Sequence, residues 1–241
     1  LFRSTVDEQS PYVVPTAPGI YDISLYVTNA WGENTLTPKR YLIVSNDDPH
    51  SCLNFTGVET LGLTSPFSEA QKKLTLDWWM RPSRYQGSVS LTSSQGSLST
   101  SVDNNGALSI TVGTKTVQSD EGYVIPGEWH HYAVTYSSGV VKFYRDGQLM
   151  SSPTARLVTS MPVLGTITMG EAGFCGQIDE VRLWSTALTA DKIKAYCNQH
   201  IEDISEAEAT DGLVLYYDFN QSGGDVLDRT SGGNDAQRIG F

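Results

Sequence analysis

Chemistry on this chain would have to come from its carboxylates, histidines and aromatic rings. Asp179 and Glu180 are consecutive. Consecutive residues of a strand point to opposite faces, so these two cannot form the pair of carboxylates, roughly 5–5.5 Å apart, that retaining hydrolysis of a glycoside requires. His130 and His131 are neighbours in the same way and make poor joint metal ligands. No His-Glu-x-x-His, Gly-x-Ser-x-Gly, Walker or dinucleotide-binding glycine pattern occurs. The chain is therefore expected not to be an enzyme. With 27 acidic against 16 basic residues and a net charge of −11, it lacks the basic footprint that nucleic acid demands. No apolar run approaches the roughly 20 residues that span a bilayer, so no membrane-spanning segment is expected.

Aromatic side chains offer a different chemistry. Sugar rings present apolar C–H faces to aromatic rings, while amides and carboxylates take the hydroxyl groups. The chain has 5 Trp and 12 Tyr, most of them expected in a core. Trp78 alternates with Leu74, Leu76 and Met80 and so faces inward, whereas Trp79 shares its face with Thr75, Asp77 and Arg81. Trp31, Tyr85 and Tyr123 fall in turns. Trp31, Tyr85, Tyr123 and Trp79 are thus the candidates for sugar contact, each with the simpler alternative of an incidental surface or framework aromatic. Cys52, Cys175 and Cys197 are too few and too scattered for a disulfide framework or zinc cluster. They allow at most one intrachain disulfide, and the simpler reading is three small apolar core residues.

The elements that must position these residues are short strands. Residues 20–27 alternate apolar and polar side chains with a period of two. A turn over 29–34 and a second strand over 35–44 follow, and Ser45-Asn-Asp-Asp-Pro49 reads as a domain boundary. Beyond it the pattern predicts strands at 52–55, 74–80, 98–102, 107–112, 130–136, 140–145, 166–169 and 177–184. The turns at Asp103-Asn-Asn-Gly106, Ser137-Ser-Gly139 and Asp146-Gly147 supply the positive φ that hairpins need. Many short strands without interleaved long helices mean an all-β sandwich. One helix interrupts the series, with Thr189 as N-cap and an apolar stripe of Ile193, Tyr196, Cys197 and Ile201. Ser205 with Glu208 reads as the capping box of a second, short helix. A strand over 213–219 and a loop-rich tail complete the chain.

Four motifs in order carry a family resemblance. Cys52-Leu-Asn-Phe-Thr-Gly57, Leu74-Thr-Leu-Asp-Trp-Trp-Met-Arg-Pro82, Gly127-Glu-Trp-His-His-Tyr-Ala-Val-Thr-Tyr136 with Phe143-Tyr-Arg-Asp-Gly147, and Gly176-Gln-Ile-Asp-Glu-Val-Arg-Leu-Trp184 resemble the laminin G-like, concanavalin A-like jelly-roll domains of bacterial surface proteins. Thr56 stands where that family usually has Asp. The resemblance covers about residues 50–200 and implies a jelly-roll β-sandwich with one short packed helix over 50–205. Pro18-Gly-Ile-Tyr-Asp-Ile-Ser-Leu-Tyr-Val-Thr-Asn29 is similar to the second half of a PKD domain. Residues 1–45 are thus expected to be a partial immunoglobulin-like segment, its missing strands either removed or replaced by packing on the neighbour. The stretches Leu215-Tyr-Tyr-Asp-Phe-Asn220 and Asp228-Arg-Thr-Ser-Gly-Gly-Asn-Asp235 also resemble family segments. Residues 206–241 either close the same sandwich in a permuted arrangement or open a further module.

What the resemblance implies for function is a non-catalytic carbohydrate-binding module of a secreted, periplasmic or cell-surface protein, with a polysaccharide or glycan ligand and neighbouring domains in a larger protein. The alternatives are a structural or adhesion module that binds a protein partner or spaces domains, and a degenerate glycoside hydrolase. The laminarinase-type Glu-x-Asp-x-x-Glu motif is absent. No cofactor is required. The resemblance does suggest a structural calcium, held by Asp179 of the closing strand with oxygens around Asn54.

Overall fold

The structure, a computed structural model, describes residues 19–21, 25–36, 42–44, 52–85, 98–161, 165–170, 173–197, 199–221 and 223–241. The chain divides into two compact units, residues 1–49 and 50–241. In the first, β1 (Gly19–Tyr21) pairs antiparallel with β4 (Leu42–Val44), and β2 (Leu25–Asn29) with β3 (Gly32–Leu36). Asn29 faces Gly32 in that hairpin, so its loop is the two residues Ala30 and Trp31, tighter than the turn expected over 29–34.

The second unit is a sandwich, as the alternation predicts. Among the described residues its larger sheet has seven strands. In order across it run β13 (Gln148–Ser151), β12 (Val140–Arg145), β11 (His130–Ser137), β7 (Lys73–Pro82), β15 (Cys175–Trp184) and β16 (Leu213–Tyr217), and β5 (Leu53–Thr56) pairs with the first half of β15. The remaining strands form two three-stranded sheets. One is β10 (Lys115–Gln118), β9 (Leu108–Val112) and β8 (Leu98–Val102); the other is β14 (Thr166–Met169), β6 (Thr60–Thr64) and β17 (Gln237–Ile239). One core joins them all. Leu74, Leu76, Trp78 and Met80 of β7 pack with Tyr132, Val134 and Tyr136 of β11, Leu61 and Leu63 of β6, and Ile110 and Val112 of β9. Burying these side chains stabilises the fold by about 1.5–3 kcal/mol each.

The tail belongs to the sandwich. The strand β16 lies beside β15, and β17 lies beside β6 in the opposite sheet, so residues 213–239 add a strand to each layer.

Two helices, α1 (Ala190–Cys197) and α2 (Ile204–Asp211), follow β15. Thr189 caps α1, accepting from Lys192 N at 3.3 Å. The cap of α2 is Asp203, whose carboxylate accepts from Glu206 N at 2.9 Å. Ser205 lies inside the helix, so the expected capping box sits two residues too late. Ile193, Leu188, Ile201 and Ala207 pack on Ala133, Tyr144, Trp184, Leu213 and Tyr216, the outward side chains of the large sheet. Among the described residues no helix is long and apolar enough to cross a membrane.

Candidate functional site

The outer face of the large sheet has two halves with different chemistry. Alternation along β7 turns Thr75, Asp77, Trp79 and Arg81 outward. Thr75 and Asp77 are buried, Trp79 is half-buried and Arg81 is exposed, so the covering provided by the helical segment ends between Asp77 and Arg81.

Under the covered half lies a charged network. Asp77 accepts from Trp184 Nε1 at 2.5 Å, pairs with His131 Nε2 at 3.1 Å and faces Arg182 at 3.5 Å. Arg182 is fully buried. It also pairs with Glu180, donates to Tyr196 O and Gln199 O at 2.8 Å each, and lies 5.3 Å from the centre of the Tyr216 ring. Glu180 further accepts from Tyr216 Oη at 2.8 Å and pairs with His200 Nδ1 at 3.1 Å. Burial alone would push the Glu180 carboxyl up, but Arg182, His200 and Tyr216 outweigh it and hold it down at about 2. A buried charge must be paired and hydrogen-bonded in this way. Glu180 is thereby fully engaged within the protein.

A β-bulge separates the two halves on β15. Between the pairs Asp179–Trp79 and Arg182–Asp77 the register shifts, and Glu180 takes a left-handed φ of 51°. The bulge breaks the alternation that predicts opposite faces for Asp179 and Glu180. Asp179 Oδ1 accepts from Glu180 N at 2.8 Å. Burial and the Glu180 carboxylate together push the Asp179 carboxyl up to about 8.

Beyond the bulge the described residues of the face are more exposed. Antiparallel partners share a face, and Asn54 pairs with Gln177, which pairs with Arg81. One row across three strands is therefore Asn54, Gln177 and Arg81. The row behind it holds Asp179 and Trp79. Asn54 and Arg81 are exposed, and Gln177, Asp179 and Trp79 half-buried. The Trp79 ring meets His131 edge-on, centroids 5.7 Å apart. An indole, two amides, a guanidinium and a carboxyl thus share one platform.

Of the aromatic candidates, Trp79 lies on this platform. Trp31 is 96% exposed at the tip of the first unit's hairpin. Tyr85 is half-buried over Gly106, where a Cβ would meet its ring at 2.9 Å and Val124 O at 2.5 Å. Tyr123 is a correction: it is 2% exposed. Its ring packs edge-on against Tyr132 and Phe143, and its hydroxyl donates to Tyr144 O at 2.8 Å. A buried ring has no face to offer a sugar. The signal was available: Tyr123-Val124-Ile125 is an apolar run rather than a lone aromatic.

Asn54 and Asp179 do share the platform, but their surroundings do not fit calcium. Asn54 lies opposite Gln177 rather than Asp179. The Thr56 hydroxyl and amide donate to Glu59 at 2.6 and 2.5 Å, and Val58 N donates at 3.3 Å. These bonds hold the Glu59 carboxyl down at about 2 and fill the turn with donors directed at a carboxylate. Calcium takes six to eight oxygens. Among the described residues no group of three or more His, Cys, Asp or Glu could hold a metal. All three cysteines are free. Cys175 pairs with Thr56 across β15 and β5, which puts Cys52 about 13 Å further along the strand, too far for a bridge.

The residue that sequence reasoning missed here is Gln177. Gln177 stands two residues before Asp179 and so on its face, a readable signal; which strands flank it was not readable.

Comparison with known proteins agrees with this architecture. A candidate carbohydrate-binding protein from Bacteroides ovatus superposes with a TM-score of 0.61 at 19% identity, over 78% of this chain and 58% of that one. Domain 4 of an extracellular arabinanase from Geobacillus stearothermophilus, solved with arabinotriose, gives 0.49 at 18% identity, over 73% and 82%. In sequence, the rat protein with sushi, von Willebrand factor type A, EGF and pentraxin domains is 29% identical over 33% of this chain, a match spanning only 3% of that protein's length. Residues 57–194, more than half of the chain, match the family of this sandwich, and the protein belongs to the concanavalin A-like lectin/glucanases superfamily.

Proposed function

We propose that the protein is a carbohydrate-binding module without catalysis, and that it takes its glycan on the more exposed half of the outer face. The observation that carries this reading is the juxtaposition of half-buried Trp79 with Arg81, Gln177 and Asn54 on one platform of the outer face. Indole faces suit the apolar side of a sugar ring, and amides serve as both donors and acceptors for its hydroxyls. The non-catalytic part is supported by Glu180: its pairing with Arg182, Tyr216 and His200 leaves Asp179 without a free carboxylate neighbour on its own strand. Likeness to a candidate carbohydrate-binding protein is in keeping with it. In this reading the protein works outside the cell, where polysaccharide is met, with the first unit as a PKD-like neighbour.

The test is a glycan array followed by calorimetry on the bound polysaccharide. Asn54→Ala with Gln177→Ala should weaken binding about tenfold, at one to two lost hydrogen bonds, with an unchanged melting temperature. Binding that survives this pair intact would move the site elsewhere, and Trp31→Ala would then be the next variant.

A further inference from the structure

A second guanidinium, that of Arg84, lies beside the platform's Arg81. Arg81 donates through Nε to Gly127 O at 3.1 Å and reaches Gln177 Oε1 at 3.5 Å. Arg84 reaches Gly173 O at 3.4 Å and Cys175 Sγ at 3.2 Å. Both side chains are exposed. Gln177 and Cys175 are two residues apart on the same face of β15, so the two contacts lie about 7 Å from one another.

Among the described residues neither group has a carboxylate partner. Elsewhere in the molecule Arg182 pairs with Glu180 and Asp77, and Arg229 with Asp218 at 3.3 Å. Among the described residues Arg81 and Arg84 have only carbonyl, amide and sulfur partners. That is unexpected in a chain with 27 acidic and 16 basic residues, where carboxylates are in excess. A guanidinium has five donors in a planar fork suited to carboxylate, phosphate or sulfate, and both side chains are exposed. The nearest carboxyl on the platform, Asp179, is pushed up to about 8 by burial and Glu180, so it repels an anion less than an ordinary carboxylate would. Glu59, beside the platform's edge, is occupied by Thr56 and Val58.

We infer that the platform takes an acidic glycan, a polysaccharide whose sugars carry a carboxylate or a sulfate ester, with the anionic group held by Arg81 and Arg84. This rests on the carbohydrate-binding reading above and narrows its ligand class. The indole and amides would take the sugar ring, and the arginines would choose among rings by charge.

Matched probes separate the possibilities: dextran against dextran sulfate, and methyl-esterified pectin against polygalacturonate, titrated into the whole chain. At least one charged probe should bind, more weakly as salt rises, while its neutral match does not. Arg81→Gln with Arg84→Gln should weaken that binding about tenfold or more without lowering the melting temperature, since both side chains are exposed. Lys115→Gln with Lys142→Gln removes the same charge from other exposed positions and should leave binding unchanged. Dextran sulfate alone or polygalacturonate alone tells sulfate from carboxylate, and either supports the inference. Equal loss in the lysine variant, or no loss in the arginine variant, overturns it as general polyanion attraction. Binding of neutral polysaccharides alone overturns it while leaving the carbohydrate reading intact, and failure of every probe and of the wider glycan array overturns both.

Discussion

Asp179 and Glu180 are consecutive carboxylic acids with opposite fates, and the difference comes from what each was given on burial. Glu180 has Arg182 and two hydrogen-bonding neighbours, and its carboxyl falls to about 2 from 4.5. Asp179 has burial and the charge of Glu180, and its carboxyl rises to about 8 from 3.8. Stability follows from each with opposite sign. For Asp179 the folded-state value lies above the unfolded one, so its contribution is fully present below about 4 and is lost as pH rises toward 8. Asp179→Asn should therefore melt like the parent near pH 4 and progressively higher up to pH 8, by about 1–3 kcal/mol after allowing for solvent at a half-buried side chain. Melting curves across that window check this, and a gap independent of pH would contradict it. Glu180 acts in reverse: its stabilisation is present above 4.5 and fades as pH falls toward 2. Glu180→Gln leaves buried Arg182 with only the more distant Asp77 as an ion-pair partner and should cost about 3–5 kcal/mol at pH 7, read from urea denaturation.

At the scale of elements, α2 shows how local signals compete. Both Asp203 and Ser205 are acceptable cap residues, each followed three positions later by Glu206 or Glu208. The helix begins from Asp203 because that carboxylate reaches Glu206 N, whereas Ser205 sits exposed within the first turn. Asp203→Ala should cost about 1 kcal/mol and Ser205→Ala less than about 0.5 kcal/mol, measured by urea midpoint. Similar reasoning explains which strands could be read in advance. The strands β7, β11, β12 and β15 are long and carry clean alternation or turn glycines at their ends, and they lie close to where the pattern predicts them. The strands β10 and β17 run Lys-Thr-Val-Gln and Gln-Arg-Ile. Both are short, mostly polar edge strands whose pairing partner, not their own composition, makes them strands. In β6 a central Gly62 divides two buried leucines, which weakens the period-two signal. The site was legible in part for the same reason. Alternation alone puts Trp79 with Arg81 and Asp179 with Gln177, but the alignment of β5, β15 and β7 that makes one platform of them is a tertiary fact. The bulge at Glu180 has no sequence marker either, since the residue in the left-handed conformation is not a glycine.

For the whole molecule the decisive feature is where the last strands go. Residues 213–217 extend the large sheet, and the chain then crosses to place 237–239 beside β6 in the opposite sheet. The crossing is pinned from both ends. Tyr217 Oη donates to Asn234 O at 2.5 Å, Val226 and Ala236 form a bridge, and the Asp228 carboxylate gathers Tyr216 N, Thr230 N and Asn234 N within 3.1 Å. Phe241 then packs edge-on against Phe55 of the core, centroids 5.3 Å apart. A tail of this kind closes a sandwich; it does not decorate one. Ending the chain after Asn220 would bare one edge of β6, leave the Tyr217 hydroxyl without its acceptor and uncover Val226-facing core that is otherwise fully buried. Each such loss is about 1–3 kcal/mol, and together they approach the 5–15 kcal/mol that holds a domain folded. The truncated chain should therefore show no cooperative melting transition, or one far below that of the parent. Removing residues 1–49 is the contrasting experiment, because they form a separate compact unit: residues 50–241 alone should keep the sandwich's transition and the glycan binding assigned to its outer face. A truncation after Asn220 that melts like the parent would mean that β17 and its crossing are dispensable, and that the seven-stranded sheet and its core suffice for the fold.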